Sequence, residues 1–298
     1  MHPRRPTRSD GVNTSSTTSI RALIDFTLSE AEFDRLRGLV REHTGISLSE
    51  AKRQLVYGRL ARRLRALSLE SFAEYIKLIE AGDPVELEEF VNAVTTNLTS
   101  FFREPHHFDY LAREALPAIA ARTDGSNRLR IWCCAASTGE EPYSIAMVLR
   151  EAQERLAGWD VKLLATDLDS AVLASGAAGV YATERFKGMD PKRVARFFDK
   201  GSGVQAGKFR ARDELRSLIT FRQLNLMTEW PMRGPFDAIF CRNVVIYFDK
   251  ATQRVLFERM ASLQRPGDLL FLGHSESLYR VSDRYELIGR TIYRRVGD

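Results

Sequence analysis

Residues 132–146 read WCCAASTGEEPYSIA. An apolar run breaks into a turn of small residues around Gly139 and resumes with helical spacing, the pattern of a strand feeding a helix through a ligand-facing loop. Such loops commonly cradle a phosphate, and this one is poorly equipped for it. It has a single glycine instead of GxGxxG, Pro142 removes a backbone donor near the helix start, and Glu140 and Glu141 repel an anion. The segment therefore predicts an α/β fold whose ligand tolerates carboxylates at a helix N-terminus. A plainer role for the two glutamates, offsetting the helix dipole, is worth well under about 1 kcal/mol at an exposed terminus.

Outward from this unit, LRIWCCA is joined by four more apolar runs, VKLLATD, LITFRQLNL, FDAIFCRN and DLLFLGHS, spaced by helical segments and followed by YELIG and TIYRRV. Apolar on both faces, the first five predict a central, mostly parallel sheet, and the terminal pair supplies an antiparallel C-terminal strand. The gap between the second and third strands exceeds what a crossover needs. Its glycine-punctuated stretch predicts an inserted antiparallel β subdomain at about residues 185–221.

Upstream the period is helical. SEAEFDRLRGLVREHTG predicts a helix capped by Ser29, with Glu32 three residues on, that stops at Gly45. Three further helices at about residues 49–67, 71–80 and 84–96 complete a small all-helical domain over 21–96. Residues 1–20, rich in Ser, Thr, Arg and Pro, predict a disordered tail. Residues 97–122 form a linker and helix leading into an α/β domain at 123–298. Residues 49–68 carry six basic and one acidic side chains, residues 69–92 seven acidic and one basic. On the second helix Lys52, Arg59, Arg62, Arg63 and Arg65 fall mainly opposite Val56, Leu60, Leu64 and Leu67. A solvated face and a docking surface for an acidic macromolecule both fit that pattern.

The 298-residue chain is 44% hydrophobic and 28% charged, with a net charge of +5, the composition of an ordinary soluble protein. No apolar run approaches the length of a membrane span and none follows the N-terminal arginines, so neither membrane insertion nor export is predicted and a cytoplasmic location is expected. Cys133, Cys134 and Cys241 sit in strand-like runs without CxxC spacing and predict buried thiols. His106 and His107 are adjacent and do not share a helix face, so no metal site is predicted.

The second strand ends in ATDLD. Asp167 there suits both hydroxyls of an adenosine ribose, while Asp169 starts the next helix. A ribose-bearing ligand with a positive centre and no phosphate reconciles this carboxylate with Glu140 and Glu141, and S-adenosylmethionine is such a molecule. The fourth strand ends at Asn243, with Tyr247 four residues on. That spacing is like the (N/D)PPY signature of amine methyltransferases, but Val244 and Val245 replace its stiffening prolines, which counts against N-methylation. Within TTNLTSFFREPHHF, Arg103 stands among Asn97, Thr99 and Phe102 and is suited to hold a carboxylate.

In this order, TTNLTSFFREPHHF, WCCAASTGEEPYSIA, ATDLD, FRQLNL, FDAIFCRNVVIYF and GHSES resemble the chemotaxis receptor methyltransferases, the CheR family, from about residue 27 to the C-terminus. The resemblance implies a Rossmann-like S-adenosylmethionine-dependent methyltransferase fold. It also implies an enzyme that forms methyl esters on glutamates of chemoreceptors, the methyl-accepting chemotaxis proteins, releasing S-adenosylhomocysteine. Cofactor contacts are implied at Asn97, Thr99, Arg103, Glu141, Asp167, Asn225, Leu226, Asn243 and Val244, with Glu141 chosen over Glu140 although the motif leaves that open. Arg103 and Tyr247 are implied to orient the substrate side chain. The basic helix 49–67 is implied to meet the cytoplasmic helical domain of the receptor, and the inserted subdomain, in some members, a receptor-tail peptide. Two other functions share these residues, a non-catalytic cofactor-binding adaptor and a nucleic-acid methyltransferase. NVVIY and the lack of an aromatic–basic stacking patch oppose the latter, so no nucleic-acid partner is predicted.

Overall fold

Helix α1 (Glu30–Thr44) starts where Ser29 and Glu32 cap each other's backbone N–H groups and stops at Gly45, whose φ of 73° leaves the helical path. The structure is a computed structural model that describes residues 26–122 and 125–297; the tail predicted at 1–20 lies outside them. Helices α2 (Arg53–Leu67), α3 (Phe72–Glu80) and α4 (Pro84–Val94) follow, the last two capped by Ser71 and Asp83. Phe33, Leu36, Leu60, Leu64, Phe72, Tyr75 and Phe90 form their common core.

The basic side of α2 is used differently from the surface its sequence suggests. Arg59 donates to the carbonyls of Ala93 (3.2 Å) and Thr95, and Arg63 pairs with Glu86 (2.6 Å) and Glu89 (3.3 Å). Buried Glu86 also accepts the Tyr75 hydroxyl at 2.8 Å. Arg63 is thus paired with the acidic half and Arg59 is tied to backbone carbonyls, and of Arg59, Arg62 and Arg63 only Arg62 is exposed.

Helical pieces His106–Tyr110, a π turn Leu111–Ala115 and Leu116–Ala120 run on as α5. The chain then forms β1 (Arg128–Cys133), α6 (Glu140–Glu151), β2 (Asp160–Asp167), α7 (Ser170–Ala178), β3 (Val180–Ala182), α8 (Pro191–Phe197), β4 (Phe198–Lys200) and β5 (Lys208–Ala211). It continues through α9 (Asp213–Arg216), β6 (Ile219–Gln223), β7 (Ala238–Cys241), α10 (Lys250–Ser262), β8 (Leu269–Leu272), β9 (Tyr285–Gly289) and β10 (Ile292–Arg295).

Seven strands make one sheet in the order β6-β2-β1-β7-β8-β10-β9, the first five parallel and β10 antiparallel to both of its neighbours. Along β1, Leu129, Ile131 and Cys133 enter one buried cluster and Trp132 the other, so helices must cover both faces. All three cysteines are buried and free, and burial raises their thiol pKa values. The strand order reverses at β1, between β2 and β7, which opens a crevice at their carboxyl ends.

The inserted antiparallel sheet, in the order β3-β5-β4, spans residues 180–211 rather than about 185–221. Left-handed Gly179 caps α7 and turns the chain directly into β3, while Ile219–Gln223 is absorbed by β2 of the main sheet. The reading of His106 and His107 also needs correction. Both Nε2 atoms reach the Arg290 carbonyl, at 3.0 and 3.3 Å, because the β9–β10 turn lies across the start of α5. No helix among the described residues is long and apolar enough to cross a membrane, and among them no group of three or more His, Cys, Asp or Glu is arranged to hold a metal ion.

Candidate active site

The loops after β1, β2, β6 and β7, with residues 95–103, enclose a cleft of about 830 Å3, part of it open to solvent. Asn97, Thr99, Arg103, Glu141, Asp167, Asn225, Leu226, Asn243, Val244 and Tyr247 all line it. Thr44 and Ile46 line it too, and no local signal pointed to them because they arrive by docking of the helical domain. That docking is specific at the rim: the Asn225 amide donates to the His43 carbonyl (2.7 Å), and the Ser47 N–H donates to the Tyr247 carbonyl (2.9 Å).

Asp167 ends β2 with both carboxylate oxygens fixed, one accepting the Ser137 N–H (2.8 Å) and the other the Asp169 N–H (3.0 Å). Each oxygen keeps a lone pair for a further donor. Burial raises its pKa, and the two N–H groups oppose that rise. Asp169 caps α7 through the N–H groups of Ala171 and Val172, and its other oxygen accepts the Asn97 amide (2.6 Å) and the Thr95 hydroxyl (2.7 Å). The acidic strand end therefore also anchors the first residue of the Arg103 loop.

The two glutamates of the opening segment face opposite ways. Glu141 lines the cleft, where it accepts the Cys133 thiol (3.2 Å) and pairs with Arg242. Fully buried Glu140 turns from the cleft to Arg185 of the insert. Each is matched by an arginine, so anion repulsion is weaker than the bare sequence suggests. Gly139 likewise serves packing: with φ of 96°, a Cβ there would lie 2.7 Å from the Tyr181 hydroxyl and 2.9 Å from the Gly176 Cα. The glycine lets the turn approach α7 and the insert.

Arg242, missed from sequence, is the hub beneath the cleft. Its fully buried side chain bonds Glu141, Glu104 (3.2 Å) and the Arg103 carbonyl. The signal available was a lone arginine inside the apolar run IFCRNVV, a position that requires paired carboxylates. Burial opposes the charge on Glu104, yet hydrogen bonding to His274 and the Arg242 charge prevail and pull its carboxyl down to about 2. Glu276, also missed, is a buried carboxylate accepting the N–H groups of Gly273 (2.6 Å), Asn243 (2.8 Å), Val245 (2.9 Å) and Ile246 (3.3 Å). It shapes the Asn243–Tyr247 turn. A Cβ on Gly273 would lie 2.2 Å from the Asn243 amide nitrogen, so glycine is required beside that residue.

Phe102, Glu104, Ser137 and Asn243 have φ of 51°, 59°, 48° and 57°, a left-handed conformation uncommon for non-glycine residues. Arg103, between two of them, donates to the Leu98 carbonyl at 2.9 Å, and among the described residues no carboxylate pairs with it. The cleft thus offers a guanidinium, a rigid carboxylate at a strand end and the apolar walls Ile46, Leu168, Leu226 and Phe248. That set fits a nucleoside bearing a cationic centre and a carboxylate.

Fold and cleft define the chain as an S-adenosylmethionine-dependent methyltransferase, and residues 97–294 match the family described as CheR methyltransferase, SAM binding domain. Residues 31–95 match its companion, CheR methyltransferase, all-alpha domain. The chain belongs to the CheR methyltransferase family. It is 49% identical over 284 residues to Chemotaxis protein methyltransferase 2 of Pseudomonas aeruginosa, covering 94% of this chain and 98% of that one. The Chemotaxis protein methyltransferases of Klebsiella aerogenes and Escherichia coli are 46% and 44% identical, each over 89% of this chain and 90% and 91% of their own.

Proposed function

We propose that the protein esterifies specific glutamate side chains in the cytoplasmic helical domain of chemoreceptors, working in the cytoplasm. The observation that carries this reading is Arg103, a guanidinium at the cleft that no carboxylate among the described residues pairs with. When bound, S-adenosylmethionine supplies an electrophilic methyl group. A glutamate carboxylate is ionised at neutral pH and requires no general base, and the cleft lining contains neither histidine nor lysine. Arg103 and Tyr247 then have to orient the incoming carboxylate and keep water out. Asp167 takes the ribose hydroxyls. Asn97, Thr99, Arg103, Glu141, Asn225, Leu226, Asn243 and Val244 make the remaining cofactor contacts.

In this reading residues 21–96 dock the receptor, 97–122 lead into the site and contribute Arg103, and 123–298 bind the cofactor. Docking falls on the exposed part of the basic helix around Arg62, since Arg59 and Arg63 are engaged within the domain. The inserted sheet has two edge strands, β3 and β4, to which a receptor-tail peptide can add as a further strand.

Methyl-labelled cofactor incubated with receptor-containing membranes tests the proposal. Carboxyl methyl esters release volatile methanol in mild alkali, and label that survives alkali would exclude esterification. In the same assay Arg62→Glu is expected to lower receptor methylation while cofactor affinity stays within about twofold; unchanged methylation would remove this helix from the docking surface.

A further inference from the structure

No residue of the insert, 180–211, lines the cleft, yet the insert grips the loop that carries Arg103. The Phe101 ring packs against Tyr181, Phe186 and Phe198, with centroid separations of 5.0, 5.1 and 5.6 Å. The Arg193 guanidinium, fixed by Glu151 at 2.7 and 2.8 Å, lies 4.5 Å from the centroid of the Phe102 ring. Arg185 reaches furthest. Its Nη2 donates to the Thr99 carbonyl (3.1 Å) and its Nε to Oε1 of fully buried Glu140 (2.7 Å). The Glu140 carbonyl in turn accepts the Ser144 hydroxyl (2.7 Å), whose oxygen accepts the Phe102 N–H (2.9 Å). One connected set of bonds therefore joins Arg185 to both ends of residues 99–102.

We propose that Arg185 is a positioning residue for methyl transfer: it ties the Thr99 carbonyl to Glu140 and so fixes the loop conformation that aims Arg103 into the cleft. The inserted sheet thereby sets the geometry of a site it does not enter. The inference rests on the reading of Thr99 and Arg103 as site residues given above. Left-handed Phe102 and Glu104 persist only if their surroundings over-determine them, and the insert supplies the surroundings on one side. A guanidinium suits the task because its rigid fork reaches a carboxylate and a carbonyl together, which a single ammonium does less well. Misplacing a reacting group by about 1 Å can cost about a hundredfold in rate, so a loosened loop is expected to act on turnover.

Arg185→Lys, Arg185→Met and the double variant Arg185→Met/Glu140→Gln separate positioning from simple charge compensation. The readouts are methyl-transfer kinetics, S-adenosylhomocysteine affinity, urea midpoint and hydrogen exchange of the amides of residues 99–104. Arg185→Met is expected to lower kcat roughly tenfold or more, by a larger factor than it raises either KM, and to speed exchange in that loop. Arg185→Lys is expected to keep the midpoint and recover kcat only in part. The double variant removes the uncompensated buried carboxylate, so the midpoint should recover while kcat stays low. If kcat recovers with the midpoint, Arg185 is only a counter-ion for Glu140 and the proposal is overturned; unchanged loop exchange in Arg185→Met overturns it as well. A wild-type protein that binds cofactor but esterifies no receptor refutes the function proposed above, and loop exchange still decides the role of Arg185.

Discussion

The two ends of the central sheet each carry a cleft, and arginines and buried carboxylates line both. At the amino end Arg122 and Arg265 each bond both Asp237 and Asp268, with Arg122–Asp268 at 3.2 Å, Arg265–Asp237 at 2.9 Å and Arg265–Asp268 at 3.6 Å. Backbone N–H groups of Arg130 and Arg265 complete the set at 2.7 Å each. There the charges close on one another and staple α5 to the starts of β1, β7 and β8. At the carboxyl end Asp167 accepts two backbone N–H groups, and among the described residues no carboxylate pairs with Arg103. A cleft lined with charge is a staple when the charges satisfy each other. It is a site when some are held rigid and left for a ligand.

The strongest attempt to break this contrast is Asp237→Asn. Removing one charge from this cluster leaves two partly solvated arginines sharing Asp268, and a loss of about 2–3 kcal/mol in unfolding free energy is expected. Urea titration measures it, and cofactor affinity of the folded variant should stay within about twofold. A cofactor defect without a stability loss would make the amino end a second functional site.

Asp167→Asn asks the converse at the carboxyl end. The side chain keeps its shape but loses charge-assisted bonds worth about 1.5–3 kcal/mol, so cofactor affinity should fall roughly 10- to 150-fold. The urea midpoint should fall too, because the Asn amide nitrogen cannot accept one of the two backbone N–H groups, but by less than in Asp237→Asn. Wild-type affinity in this variant would mean that the rigid carboxylate does not contact the cofactor.

Much of this was legible because the signals are local or follow from topology. The Ser29–Glu32 capping box and the Gly45 stop fix α1 from adjacent residues alone. Asp167, Asn225 and Asn243 converge because each follows a parallel strand, and carboxyl strand ends meet at the switch point. What escaped depends on distant partners. A helical wheel for α2 knows nothing of Glu86, which claims Arg63, nor of the Thr95 carbonyl, which claims Arg59. Glu140 and Glu141 project about 100° apart on one helix, and only the insert's Arg185 and the strand end's Arg242 decide which lines the cleft. Residues 180–182 form too short a run to declare a strand without β5 beside them.

The smallest expected effect sharpens the contrast through pH. His107 is fully buried next to the Arg242 hub, with Nε2 bonded to the Arg290 carbonyl (3.3 Å) and the Thr291 hydroxyl (3.1 Å). Burial, then Arg242 and His106, push its pKa down to about 3 from an ordinary 6.5. Between those values the unfolded chain binds a proton that the fold refuses, so stability falls as pH drops below about 6.5 and is indifferent to this group above it. Glu104 acts in the same direction but lower: its stabilisation is present above its ordinary 4.5 and is lost as pH falls toward about 2. Between pH 6.5 and 4.5 the histidine therefore acts without Glu104, with a slope of up to about 1.4 kcal/mol per pH unit. His107→Gln keeps a nitrogen donor for Arg290 and cannot titrate, so its unfolding free energy should fall less steeply over that window by up to the same amount. Equal slopes in the two proteins would mean that His107 carries its proton in the fold. The Arg242 hub would then hold an extra positive charge, and the carboxyl end, like the amino end, would balance its charges internally.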